Sequence, residues 1–76
     1  MSFSYSKLWK LIIDRKINKT QLRDSAGITN TTLAKLSKDE TVSMDSLARI
    51  CRTLECDISD IVEYINEGIE GNGKKI

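Results

Sequence analysis

Thr31, Ala34, Lys35 and Lys38 recur at helical spacing, with Asn30 just ahead of them, while Leu33 and Leu36 fall on the opposite side. An amide, a hydroxyl, methyls and two ammonium groups on one face have no covalent chemistry to perform together. They can hydrogen-bond and attract anions. Each type also matches a group on the floor of a DNA major groove. Asn can bind adenine through two hydrogen bonds, Lys can reach guanine O6 and N7, and the methyls of Thr31 and Ala34 can touch a thymine methyl. Thr29 and Thr32 put hydroxyls beside the amino end of the same helix, where unpaired backbone amides favour a phosphate.

Other chemistries lack their parts. The chain has no histidine, which removes the commonest general base and most metal sites. Cys51 and Cys56, the only cysteines, stand five residues apart without a second pair, so they form no zinc ligand set and read as reduced thiols packed like small apolar groups. With no nucleophile–base pair, no metal set and no phosphate-cradling glycine loop, neither an enzyme nor a cofactor is expected.

The elements that must position the polar face start at Ile17. Asn18 with Gln21 forms a capping box, and Leu22 and Ala26 share a face before Gly27, the residue best suited to a left-handed helix end. Thr29 then starts the second helix, so residues 18–37 predict helix, turn, helix, a shape that lays one helix in a major groove. The same local pattern recurs along the chain. An apolar residue precedes Ser, Thr, Asn or Asp, and another apolar residue follows five positions after the first: Phe3-Ser4 to Leu8, Ile17-Asn18 to Leu22, Ile28-Thr29 to Leu33, Val42-Ser43 to Leu47, Cys56-Asp57 to Ile61. This is a hydrophobic staple across an N-cap, and five of them predict an all-α, compact five-helix bundle.

The first helix is expected over about Tyr5 to Lys16, with Tyr5, Leu8, Leu11 and Ile12 as its stripe, widened by Trp9 and Ile13. The second is expected over roughly Lys19 to Ala26 and the third over roughly Asn30 to Ser37. The fourth, about Met44 to Leu54, should bury Met44, Leu47, Ala48, Cys51 and Leu54 and pair Asp45 with Arg49. The fifth, about Ile58 to Asn66, should bury Ile58, Ile61, Val62 and Ile65. No strand is expected. One domain spans 4–66, and the glycine-bearing tail 67–76 is expected to fray or be disordered.

A chain of 76 residues buries only about 60% of its unfolded surface, so its core is thin and association is expected to help it. The longest apolar run, Leu11-Ile12-Ile13, is far short of the roughly 20 residues that span a bilayer, so no membrane partner is expected. The opening Met1-Ser2-Phe3-Ser4 resembles no signal segment, which predicts a cytoplasmic protein. The net charge of +1 hides a division. Between residues 15 and 38, Arg15, Lys16, Lys19, Arg23, Lys35 and Lys38 face a single acid, Asp24, whereas residues 39–70 hold nine acids against Arg49 and Arg52. The basic half coincides with the two-helix stretch, the footprint expected for a phosphate backbone.

The whole resembles the Cro and phage-repressor type of helix-turn-helix proteins, also called the xenobiotic-response-element family, in its small stand-alone form. The resemblance runs from about Tyr5 to Ile65 and is carried by Asn18-Lys19-Thr20-Gln21-Leu22, Ala26-Gly27-Ile28-Thr29, Thr32-Leu33-Ala34-Lys35-Leu36, Leu47 with Ile50 and Leu54, and Asp57-Ile58-Ser59-Asp60-Ile61. It implies a lambda-repressor-like, five-helix DNA-binding domain that regulates transcription, commonly as a homodimer on a two-fold operator. It also implies base reading by Asn30, Thr31 and Lys35 and phosphate contacts from Lys19, Thr29, Thr32 and Lys38. No small-molecule effector is evident.

Three departures stand out. Arg23 occupies a position where the family usually has a small residue, so its stem should lie along the surface toward a phosphate. Ser37-Lys38-Asp39 replaces the glutamate, asparagine and glycine that often follow the recognition helix, and Glu55 replaces the glycine or asparagine that usually ends the fourth. Trp9, Ile13 and Tyr64, at the edges of their stripes, either extend the core or form a dimer contact. The alternative function is a protein-binding antitoxin or antirepressor module that uses the acidic fourth and fifth helices.

Overall fold

The computed structural model describes residues 2–65; the tail 67–76 lies outside them. Among the described residues the fold is mostly helical, with four α-helices: α1 (Ser6–Asp14), α2 (Lys19–Ala26), α3 (Asn30–Ser37) and α4 (Met44–Leu54). A single 3₁₀ turn, Ile58–Asp60, follows, and β1 (Ser2–Ser4) pairs antiparallel with β2 (Glu63–Ile65).

α2, α3 and α4 end where the capping residues direct. Asn18 Oδ1 accepts from the Gln21 amide at 2.7 Å, and Gln21 Oε1 accepts from the Asn18 amide at 2.9 Å. Thr29 and Ser43 cap α3 and α4 in the same way, each accepting an amide three residues on at 3.1 Å. Gly27 ends α2 at φ 73°, where a Cβ would be strained.

The five-helix expectation fails after α4, and the first helix forms within narrower bounds than expected. The fifth staple does form, since Asp57 accepts from the Ile58 amide and donates its own amide to Asp60. It opens only a 3₁₀ turn, which places Ile58 and Ile61 one above the other and sends Ile61 fully into the core. A helix beyond it would forgo the open edge of β1. Instead Tyr64 stands opposite Phe3, with ring centroids 5.6 Å apart and edge to face, the kind of cross-strand aromatic pair that favours a sheet. The first staple is displaced for the same reason. Ser4 belongs to β1, and Tyr5 occupies the N-cap of α1 without a side-chain cap bond. Nor does α1 reach Lys16, which takes φ 62° and turns the chain toward the Asn18 cap.

The core joins Tyr5, Leu8 and Ile12 of the first segment to Leu22, Ala26, Ile28 and Leu36 of the helix pair and to Leu47, Ile50, Leu54 and Ile61. Leu33 is only half-buried. On α4 the buried stripe is Leu47, Ile50 and Leu54, which leaves Met44 and Ala48 exposed, contrary to expectation. Asp45 does pair with Arg49, at 2.8 Å. Cys51 and Cys56 are free and half-buried against the core, and that burial raises both thiols above the usual range. No helix among the described residues is long and apolar enough to cross a membrane.

Candidate nucleic-acid interface

α3 buries Leu36 completely and keeps Leu33 half-covered, so the other side of the helix is left to solvent. Asn30, Thr31, Ala34, Lys35 and Lys38 are all exposed there, as the spacing predicts. They form a continuous polar strip from the first helical residue to the C-cap, Lys38. The strip has no carboxylate until Asp39.

At the amino end, the Thr29 hydroxyl accepts from the Thr32 amide and donates to Thr32 Oγ1 at 3.2 Å. Its proton is therefore committed, while Thr32 keeps a hydroxyl proton for another acceptor. The Asn30 and Thr31 amides precede the first intrahelical bond, from Leu33 to the Thr29 carbonyl. Two amides and one hydroxyl thus point their donors outward where an anion is electrostatically favoured.

The basic side chains of α2 flank this end. Lys19, its first residue, lies across the helix pair with Nζ 3.3 Å from Ser37 Oγ and 4.3 Å from the centre of the Trp9 ring. The ring face holds the ammonium against α1 while the hydroxyl ties it to α3. Arg23 does lie along the surface, in the angle between α2 and α3. Its Nε and Nη2 contact one Asp24 oxygen at 3.0 and 2.9 Å, and Nη1 donates to Asn30 Oδ1 at 2.5 Å. With 28% of the Arg23 side chain exposed and 65% of Asp24, this ion pair itself adds little stability; its effect is to fix direction.

The structure thus brings Asn30, Thr31, Lys35, Thr29, Thr32, Lys38, Lys19 and Arg23 to the α2–α3 unit. Sequence reasoning missed the residues that steer them: Asp24 and Asn30 for Arg23, Ser37 and Trp9 for Lys19. Asp24 was visible as the only acid in the basic half. Nothing in the spacing marks Trp9, because its contact depends on how α1 crosses α2.

The loop leaving α3 is anchored from the far side of the domain. Asp39 takes φ 58°, a left-handed conformation that favours glycine, and its Oδ1 accepts from the Tyr5 amide at 3.1 Å. Tyr5 Oη donates to the Glu40 carbonyl at 2.8 Å. Burial, with the Asp39 charge second, raises the Tyr5 phenol above its ordinary range, so it stays protonated and able to donate. Among the described residues no group of His, Cys, Asp and Glu is arranged to hold a metal ion.

Comparison with known proteins agrees with this geometry. Residues 7–67 match the model of the Cro/C1-type HTH DNA-binding domain. The chain is 34% identical, over 86% of its length and 80% of the relative's, to the uncharacterized HTH-type transcriptional regulator YozG of Bacillus subtilis (strain 168). It superposes on the crystal structure of the transcriptional regulator VanUg with a TM-score of 0.84 and 48% identity, covering 87% of this chain and 88% of that one. These likenesses lend no support to a protein-binding module built on the acidic second half. The chain belongs to the Cro/C1-type helix-turn-helix DNA-binding family.

Proposed function

We propose that this protein is a sequence-specific transcriptional regulator, a small cytoplasmic repressor that lays α3 in the major groove of an operator. The observation that carries the reading is the exposed, carboxylate-free strip of α3 inside a basic segment with Asp24 as its one acid. Asn30, Thr31 and Lys35 read base edges, while Lys19, Arg23, Thr29, Thr32 and Lys38 meet phosphates. The acidic residues beyond Asp39 face away from the duplex as a solvated surface.

One helix of eight residues offers few base contacts, so a homodimer on a two-fold operator is the working form. Ile13 and Tyr64, 70% and 52% exposed, are the expected apolar side chains left for such a contact; Trp9 is half-buried under Lys19. Bound to its operator, the dimer excludes polymerase or another factor by occupancy.

Selecting bound duplexes from a random pool tests this directly. A two-fold enriched sequence, with half-sites one helical turn apart, is the expected result. A pool that stays random after repeated selection at low salt would sink the reading.

A further inference from the structure

Trp9 lies on α1, outside the helix-turn-helix unit, yet its ring touches a cation of that unit. The side chain is half-buried and packed against the core, so the ring is a fixed platform. Lys19 Nζ sits 4.3 Å from the ring centre and donates to Ser37 Oγ at 3.3 Å. A lysine has a long flexible stem and a strongly hydrated head, so at an exposed position it ordinarily samples many rotamers. Here the indole face of α1 and a hydroxyl of α3 confine an exposed lysine of α2 from two sides. An ammonium is a triple donor, and Ser37 takes only one of its hydrogens. Ser37 accepts in that bond, so its own hydroxyl proton is also left over. Among the described residues no carboxylate pairs with Lys19, and its charge stays available to an incoming anion.

We propose that Trp9 is a positioning residue for DNA binding, holding the Lys19 ammonium beside Ser37 in place for one backbone phosphate. The proposal rests on the reading that Lys19 meets the duplex backbone. A phosphate contact made by a free lysine must first arrest that side chain, and the lost rotamer freedom weakens association. In this chain the ring and the hydroxyl have confined Lys19 before DNA arrives, so most of that cost falls on folding instead. The ring face attracts the ammonium without using a hydrogen-bond donor, which leaves the donors for phosphate oxygens. Phosphate contacts carry no base information, so Trp9 acts on affinity and leaves sequence preference alone. A residue of α1 thereby becomes part of the DNA-binding apparatus without touching DNA.

The test is a double-mutant cycle between Trp9→Leu and Lys19→Met, with Trp9→Phe as the conservative variant and each fold checked by circular dichroism. Affinities are read by fluorescence anisotropy on a duplex selected from a random pool and on its scrambled counterpart, across a range of salt. Trp9→Leu keeps an apolar side chain against the core but removes the ring face. It should weaken binding roughly threefold to tenfold for each protomer, and equally on both duplexes. Its salt slope should match the wild type, because Lys19 still reaches the phosphate, whereas Lys19→Met should lower that slope by about one. Trp9→Phe, with a weaker ring face, should fall between wild type and Trp9→Leu. In the Lys19→Met background Trp9→Leu should cost nothing further. A loss of the same size in that background shows a structural effect and overturns the positioning role. Unchanged or tighter binding by folded Trp9→Leu does the same, the tighter case meaning that the ring withholds Lys19 from DNA. If Lys19→Met alone leaves affinity and salt slope untouched while the selected duplex is still bound, the phosphate contact itself is wrong, and the proposal falls with it.

Discussion

The Tyr5 hydroxyl donates to the Glu40 carbonyl at 2.8 Å, joining the start of α1 to the chain that leaves α3. Tyr5 is 2% exposed, and its amide also donates to Asp39, so one residue fixes both turn positions after the recognition helix. Tyr5→Phe leaves the Glu40 carbonyl without its partner and should cost about 1–2 kcal/mol. Urea denaturation would show this as a lower midpoint with unchanged slope.

The same phenol sets an alkaline limit. Its native pKa is raised, so the native state holds its proton after the unfolded chain has released it. The stabilisation is full below the ordinary phenol value of about 10 and is lost as pH rises through that value toward the native one. Cys51 and Cys56, both raised by burial, act with the same sign from about pH 9. Wild-type stability should fall between pH 8.5 and 11, on the order of these ordinary values, and Tyr5→Phe should flatten the upper part of that fall.

Two carboxylate residues adopt left-handed backbone, with opposite consequences. Glu55 ends α4 at φ 53°, where both its own amide and that of Cys56 reach the Cys51 carbonyl. Its side chain is exposed, so Glu55→Gly should stabilise the protein by about 1 kcal/mol through relief of strain. Asp39→Gly relieves similar strain at φ 58° but removes the acceptor for the Tyr5 amide. It should therefore be neutral or destabilising. Thermal melts of the two variants side by side check the contrast, and equal gains would deny Asp39 its anchoring role.

Lys35 and Lys38 should separate base reading from phosphate contact. Lys35→Ala is expected to cost about 1–3 kcal/mol on the selected operator and much less on random duplex. Lys38→Ala should weaken binding to both about equally and reduce the salt slope by about one. Fluorescence anisotropy on matched duplexes reads both effects. An equal loss on both duplexes for Lys35→Ala would remove it from the base-reading set.

The middle of the fold and the exposed face of α3 were legible because local chemistry decides them. The bounds of α2, α3 and α4 follow from Asn18, Thr29 and Ser43 as caps and Gly27 as a stop, each acting within a few residues. The ends were not legible for a different reason. Ile58, Ile61, Val62 and Ile65 carry a helical period, yet Val62 to Ile65 leave the turn for a strand because Phe3, some sixty positions away, offers Tyr64 a partner. Non-local pairing of this kind overrides local pattern. The destination of Arg23 shows the same limit. Its surface course follows from its length, but its bond to Asn30 depends on the angle between two helices.

In the proposed function, the α2–α3 face binds duplex DNA through charge and reads it through α3. The most direct measurement is the affinity for a selected duplex across a range of salt concentrations. With Lys19, Arg23 and Lys38 each displacing about one counterion, log affinity should fall against log salt with a slope of about −3 for each protomer. The selected duplex should remain better bound than a scrambled one at every salt concentration. Affinity that does not change with salt, or no binding to duplex at low salt, would contradict the account.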